Sequence, residues 1–365
     1  MAKTILRRRS LPLRPHSVQR RSLAAGENPM TSRAQTRLAW RPIFAFLLGW
    51  LLWPALATAQ SLCVFDIAGT KGPLYSEMSE FALEARRWGV TLTPRAYIDE
   101  RVASEDFKAG QCDAVLVSGM RARAFNAFTG SIDSIGGLPD YTTLQQLLLT
   151  LTRTDAATLM VSGPYEVAGV LPMGAAYLFL RDRRIDGVEK MAGRKIAVLE
   201  HDAAQVRMAS RIGAQAVTAD VSTFAGLFNN GQVDVTAAPA VAYLPLELYR
   251  GVGSKGAVIR MPVAQLTLQL LIRREQFPEG FAARARAHFP ARYPALFDAI
   301  RSAENDIFFF FPPPDGELPK YREMLRQARV SMTADGIYDA RMMRLMKRVR
   351  CRAEPSAAEC SDSLE

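Results

Sequence analysis

At 365 residues and 49% hydrophobic composition, the chain is long enough to bury a full core and is expected to form two lobes. Its net charge of +10 would suit a nucleic-acid partner, but ten of the 46 bases and only one of the 36 acids, Glu27, fall in residues 1–41. The remaining 36 bases and 35 acids nearly cancel, so the basic character belongs to the leader and a nucleic-acid-binding body is excluded.

That leader has the pattern of an export signal. Arg33, Arg37 and Arg41 precede an apolar run over 42–56, and Ala57-Thr58-Ala59 is a small-x-small cleavage motif before Gln60. The run is short of the ~20 apolar residues that span a bilayer. Met30 opens a signal of ordinary length and is an alternative start. The protein is therefore expected in the periplasm, with residues 1–59 removed. All four cysteines follow the cleavage point, and an even count in an exported chain favours two disulfides. With no C-x-x-C and three histidines, neither a metal site nor a cofactor is expected.

The mature chain opens with a buried strand over 62–67, ending at Asp66, and a turn holding Thr70. Pro73 suits the first turn of a helix that continues to about Trp88. A strand over 91–97 follows, with Pro94 placing it at an edge. A helix from Asp99 ends at Gly110, and a third strand over 112–117 leads into Ser118-Gly119-Met120-Arg121-Ala122-Arg123. Next come a helix over Tyr141–Leu151 and a strand pair, 166–171 and 175–181, crossing between lobes. A second strand–helix–strand–helix–strand unit begins with Lys195–Leu199. Asp202 caps its first helix, Gly213 closes that helix, and Asn229-Asn230-Gly231 closes the second. Ala257–Arg273 reads as a long return strand. Helices then follow over 278–288, 293–302, 318–330 and 337–349. The run Ile307-Phe308-Phe309-Phe310-Phe311 is expected to pack as core across the lobes.

Two such units imply parallel sheets with right-handed crossovers, and ligands sit beyond the C-terminal strand ends of such sheets. The expected partition is a leader (1–59), a first lobe (60–172), a second lobe (173–255), a return strand (256–275), C-terminal helices (276–350) and a disulfide-closed tail (351–365). With strands ordered 2-1-3, Cys63 and Cys112 stand at similar height on neighbouring strands, within bridging reach. Cys351 and Cys360 flank a short polar loop, so the expected pairing is Cys63–Cys112 and Cys351–Cys360.

The segment MAGRKIAV, followed some forty residues later by GQVDV, resembles the second lobe of TRAP-type extracytoplasmic solute-binding proteins. FKAGQCDAVLVS resembles a strand of that family's first lobe. A nearer resemblance is to the AdeT-like periplasmic proteins, some of them linked with RND-type transport. FKAGQCDAVLVSGMRARAFNAFTGSIDSIGGL, YEVAGVLPMGAAYLFL, FNNGQVDVTAAPAVAYLPLELY and RVRCRAEPSAAEC carry it. The resemblance implies an α/β, two-lobed periplasmic-binding-protein-like fold. It also implies a non-enzymatic monomer that takes a small-molecule solute and works with membrane transporter subunits. The chain departs from the TRAP pattern at Ala197, where that family has an arginine clamping the ligand carboxylate.

Candidate ligand contacts are Asp66 and Thr70 after the first strand, and Ser118, Arg121, Arg123 and Asn126 after the third. Glu200 and His201 stand at the matching edge of the second unit, with Tyr177 and Tyr243 as aromatic contacts. An interaction subunit of an envelope transporter that binds no solute is the alternative. An enzyme would need a nucleophile with its base or paired carboxylates, and no G-x-S-x-G, H-E-x-x-H or P-loop pattern occurs.

Overall fold

The computed structural model describes residues 59–364. The leader and its apolar run lie outside the described residues, as do the first two residues of the cleavage motif.

Strand β1 (Gln60–Phe65) is buried from Leu62 onward and runs parallel to β2 (Leu92–Tyr97) and β3 (Ala114–Ser118) in the order β2-β1-β3. Pro94 therefore does sit on an edge strand. Helix α1 (Pro73–Arg87) starts at Pro73, and α2 (Glu100–Lys108) is capped by Asp99, whose carboxylate accepts from the amides of Arg101 and Val102. Two short helices, α3 (Gly119–Ala122) and α4 (Ala127–Gly130), precede α5 (Tyr141–Leu151), which an Asp140–Thr143 capping box opens.

A short β4 (Val161–Ser162) leads into β5 (Tyr165–Leu180). The expected strand pair is thus a single 16-residue strand. Pro172 and Gly174 break the sequence pattern but serve as irregularities within a continuous ladder, where the register shifts between them. Gly174 has φ +104°, a value glycine tolerates and other residues resist.

The second unit follows as β6 (Lys195–Leu199), α6 (Ala203–Arg211), β7 (Gln215–Ala219), α7 (Phe224–Asn229) and β8 (Val235–Pro239), with strand order β8-β6-β7. After α8 (Leu248–Val252), β9 (Ala257–Arg273) returns along the whole length of β5, antiparallel to it. The C-terminal half of β9 also pairs with β3, whereas the C-terminal half of β5 pairs with β8. These two long strands join the lobes.

Helices α9 (Phe281–His288), α10 (Tyr293–Asn305), α11 (Glu317–Ala334) and α12 (Ala340–Ala353) cover this frame, with a two-residue β10 (Phe310–Phe311) beside β9. Phe289 packs flat against Gly169 of β5, where a Cβ would stand 2.3 Å from its ring. The phenylalanine run is a correction to the core expectation. Ile307 is buried and Phe310 meets Tyr177 edge-on, but Phe308, Phe309 and Phe311 are exposed. Their short strand pairs with β9, and the guanidiniums of Arg183 and Arg260 lie over the Phe309 and Phe310 rings.

Disulfides join Cys63 to Cys112, with Cα atoms 6.0 Å apart, and Cys351 to Cys360 at 5.6 Å. The tail is held further by Glu359, which takes 2.8 Å bonds from both Arg329 and Arg350. Burial opposes ionisation of this carboxyl. The bond from Arg350 and the charges of Arg350 and Arg329 outweigh that and hold it below the usual carboxylate range.

Candidate functional site

A cavity of about 350 Å³ lies beyond the C-terminal ends of β1, β3, β6 and β8. Its walls come from both units and from the middles of the crossing strands. Met173 of β5 and Ala264, Leu266 and Leu268 of β9 form one side, and α10 and α11 contribute Leu296, Ile300, Tyr321 and Met324. Along β9 the leucines at 266 and 268 belong to the cavity wall. The intervening Gln265, Thr267 and Gln269 are fully buried. Alternation along the strand thus separates an apolar wall from a polar buried face.

That polar face fixes the segment after β3. The Asp133 carboxylate accepts from the Thr267 hydroxyl at 2.5 Å and from its amide at 3.1 Å, and the Gln269 amide donates to the Thr129 carbonyl. Burial pushes the Asp133 carboxyl up to about 7, against the two Thr267 bonds and the Arg123 charge, which pull it down. Glu100, buried at the start of α2, accepts from the Ser118 amide at 2.5 Å and lies 3.7 Å from Arg121. Burial raises its carboxyl as well, opposed by the Ser118 bonds and by Arg121.

Of the ten expected ligand contacts, the structure brings Asp66 and Ser118 to the cavity wall. Asp66 is occupied structurally, because its carboxylate accepts from the amides of Ala68, Leu74 and Tyr75 and so caps α1 from the end of β1. A Cβ at Gly72 would overlap that carboxylate, so glycine is required there. The Ser118 hydroxyl accepts from the Arg121 amide as the cap of α3.

The other eight stand off the wall. Thr70 and Glu200 are exposed. Asn126 caps α4 and donates to the Leu159 carbonyl, which uses both ends of its amide. Arg121 is buried beside Glu100, and Arg123 pairs with Asp202 at 2.9 Å, donates to the Gly130 carbonyl and lies over the Tyr338 ring. His201 is largely buried with neither ring nitrogen hydrogen-bonded; burial, reinforced by the charges of Arg121 and Arg123, holds its pKa down at about 4. Tyr177 donates to Glu304 at 2.6 Å, as Tyr141 also does, and Tyr243 stacks on Phe179 within a second core cluster. Both tyrosines are core. In their place the wall uses Met, Leu and Ile side chains that sequence patterning cannot tell from ordinary core. The one signal available was the alternation of Leu266 and Leu268.

Ala197 of β6 is on the wall, at the position where the TRAP pattern carries its clamping arginine. No lysine, arginine or histidine lines the cavity among the described residues, whereas Asp66, Glu100, Asp133 and Asp202 do. No group of three or more His, Cys, Asp or Glu is placed to hold a metal ion among the described residues.

Comparison with known proteins agrees with this geometry. The chain is 42% identical over 300 residues to the probable solute-binding protein AdeT1 of Acinetobacter baumannii, covering 82% of this chain and 99% of that protein. In fold it is similar to a TRAP periplasmic solute-binding protein from Desulfovibrio salexigens with bound orotic acid, at TM-score 0.66 and 14% identity. That match covers 80% of this chain and 99% of the other. A Haemophilus influenzae TRAP periplasmic solute-binding protein with bound L-gulonate gives TM-score 0.66 at 10% identity, with the same coverage. The family profile described as solute-binding protein AdeT 1/2 matches residues 76–365, and the chain belongs to that family.

Proposed function

We propose that this chain is a periplasmic receptor that captures a small-molecule solute in the cavity between its lobes and hands it to a membrane transport system. The observation that carries the reading is the cavity itself. Its wall is shared by both strand–helix units and by the two crossing strands, so an occupant touches both lobes and can bias their closure. Export is supported by the Arg33–Arg41 leader pattern and by two disulfides. A non-enzymatic role is supported by the wall chemistry, which offers no histidine, cysteine or lysine among the described residues. Its carboxylates are engaged by backbone amides, a hydroxyl or a guanidinium. The receptor acts as a monomer with membrane transporter subunits as its partners.

Native mass spectrometry of protein purified gently from the periplasm tests this. A co-purifying small molecule with compaction in X-ray scattering is expected; no binding in a broad solute screen by thermal shift would sink the reading. A second reading, an interaction subunit of an RND-type envelope transporter, is favoured by the exposed Phe308, Phe309 and Phe311. Co-purification with transporter subunits that is lost in Phe308→Ser/Phe311→Ser, without any solute binding, would select it.

A further inference from the structure

We propose that the cavity takes a lipophilic molecule carrying no anionic group, an inference that rests on the receptor reading above. Five methionines on different segments line it: Met120, Met173, Met191, Met208 and Met324. Methionine is unbranched and polarisable, so such a wall adapts to apolar shapes without fixing polar geometry. The volume, about 350 Å³, lies within the range of small-molecule sites, roughly 300–1,000 Å³.

The charges point the same way. An anion entering this space would lose its hydration and meet the carboxylates of Asp66 and Asp202 and the buried carboxyls of Glu100 and Asp133, with no lysine, arginine or histidine on the wall to replace the lost water. Each of the two arginines behind the wall has a carboxylate of the protein as counter-charge: Arg123 bonds to Asp202 at 2.9 Å, and Arg121 lies 3.7 Å from Glu100, with Arg121 Nε and Nη2 and Arg123 Nη2 making no hydrogen bond. In effect a carboxylate of the protein's own second lobe, Asp202, holds the first-lobe guanidinium that an anionic ligand would otherwise seek. At Ala197 the wall presents a methyl group. Orotate and gulonate, bound by the fold neighbours, are carboxylates and belong to the class this wall disfavours.

The test uses two fluorescent probes with one aromatic skeleton, N-phenyl-1-naphthylamine and its sulfonate, 8-anilinonaphthalene-1-sulfonate, titrated into the full mature chain. The neutral amine should bind saturably and at least tenfold more tightly than the sulfonate. Met173→Arg, at a half-buried wall position, should narrow or reverse that preference; Val263→Arg serves if circular dichroism shows the first variant unfolded. Phe308→Ser/Phe311→Ser should leave the amine titration unchanged. Equal or tighter sulfonate binding, or loss of amine binding in the phenylalanine variant, overturns the proposal. If neither probe binds while succinate or L-gulonate raises Tm, the ligand class is wrong and the receptor reading stands. If nothing binds, both fall.

Discussion

Arg123, behind the first-lobe strand β3, and Asp202, at the start of second-lobe helix α6, form an ion pair at 2.9 Å in which both side chains are largely buried. Asp202 has a second task, accepting from the Ala204 amide as the cap of α6. Asparagine is an equally good cap, so Asp202→Asn removes the charge and keeps the cap. Leaving a buried arginine without its counter-charge costs about 3–5 kcal/mol when the pair is well desolvated. The 14% exposure of Arg123 places this pair toward the lower end. Urea unfolding should show Asp202→Asn destabilised by about 3 kcal/mol. Arg123→Met combined with Asp202→Asn should cost less than the sum of the singles, by at least about 1 kcal/mol. Strict additivity would show that the pair contributes nothing across the lobes.

The same pair shows what was legible in the sequence and what was not. Asp202 was readable as a cap because an aspartate before an alanine-rich helix has a local physical meaning, and α6 does start there. The bounds of β9, Ala257–Arg273, are legible from an apolar stretch that alternates in places, at Leu266, Leu268, Leu270 and Ile272. The pairing of Arg123 with Asp202 spans 79 positions and depends on how two lobes meet, which no local pattern encodes. Most of the polar residues read at strand ends as ligand contacts have partners inside the protein, for a related reason. Asn126 and Arg123 bond to backbone groups and to Asp202 inside the protein, because unpaired buried polar groups are costly, and Arg121 lies 3.7 Å from Glu100. Part of the cavity wall comes from apolar residues of α6, α10 and α11, whose periodicity is that of any helix facing a core.

A second prediction concerns Ala197. Simple C4-dicarboxylates should give no measurable heat by calorimetry with the unmodified protein. Ala197→Arg should lower stability by about 3 kcal/mol or more, since a guanidinium placed at this 6%-exposed site has no assured partner. Micromolar succinate binding by the natural chain would defeat this.

The disulfides should contribute unequally. Cys63 and Cys112 are separated by 49 positions, Cys351 and Cys360 by 9. Chain-entropy reasoning gives about 4 kcal/mol for the longer loop and about 2.7 kcal/mol for the shorter. Cys63→Ser/Cys112→Ser should therefore lower Tm more than Cys351→Ser/Cys360→Ser. The Cys63–Cys112 bridge also lies in the fully buried core, whereas the tail retains its Glu359 contacts when its own bridge is removed. An equal or reversed loss in paired thermal melts would contradict this ordering.

The pH dependence of stability should arise from two buried groups that pull in opposite directions. Asp133 holds its proton up to about pH 7 in the folded protein, whereas an unfolded aspartate releases it near ~3.9. The native state therefore binds more protons between about 4 and 7. Asp133 contributes stability that is fully present below the unfolded value and is lost as pH rises through 7. The upper limit is about 4 kcal/mol at 1.36 kcal/mol per unit. His201 behaves oppositely, with a folded value of about 4 against ~6.5 when unfolded. Here the unfolded chain binds the extra proton, so stability rises with pH between about 4 and 6.5, by at most about 3 kcal/mol. In the natural protein these two slopes offset one another from pH 4.5 to 6.5, with the buried Glu100 carboxyl, also raised, adding to the fall. His201→Gln leaves Asp133 unopposed, so its stability should fall steadily across that range. Asp133→Asn keeps an acceptor for Thr267 but loses the titration, so its stability should rise instead. Urea midpoints at pH 4.5, 5.5, 6.5 and 7.5 for the three proteins decide the matter. Parallel profiles would show that neither group titrates where its burial places it.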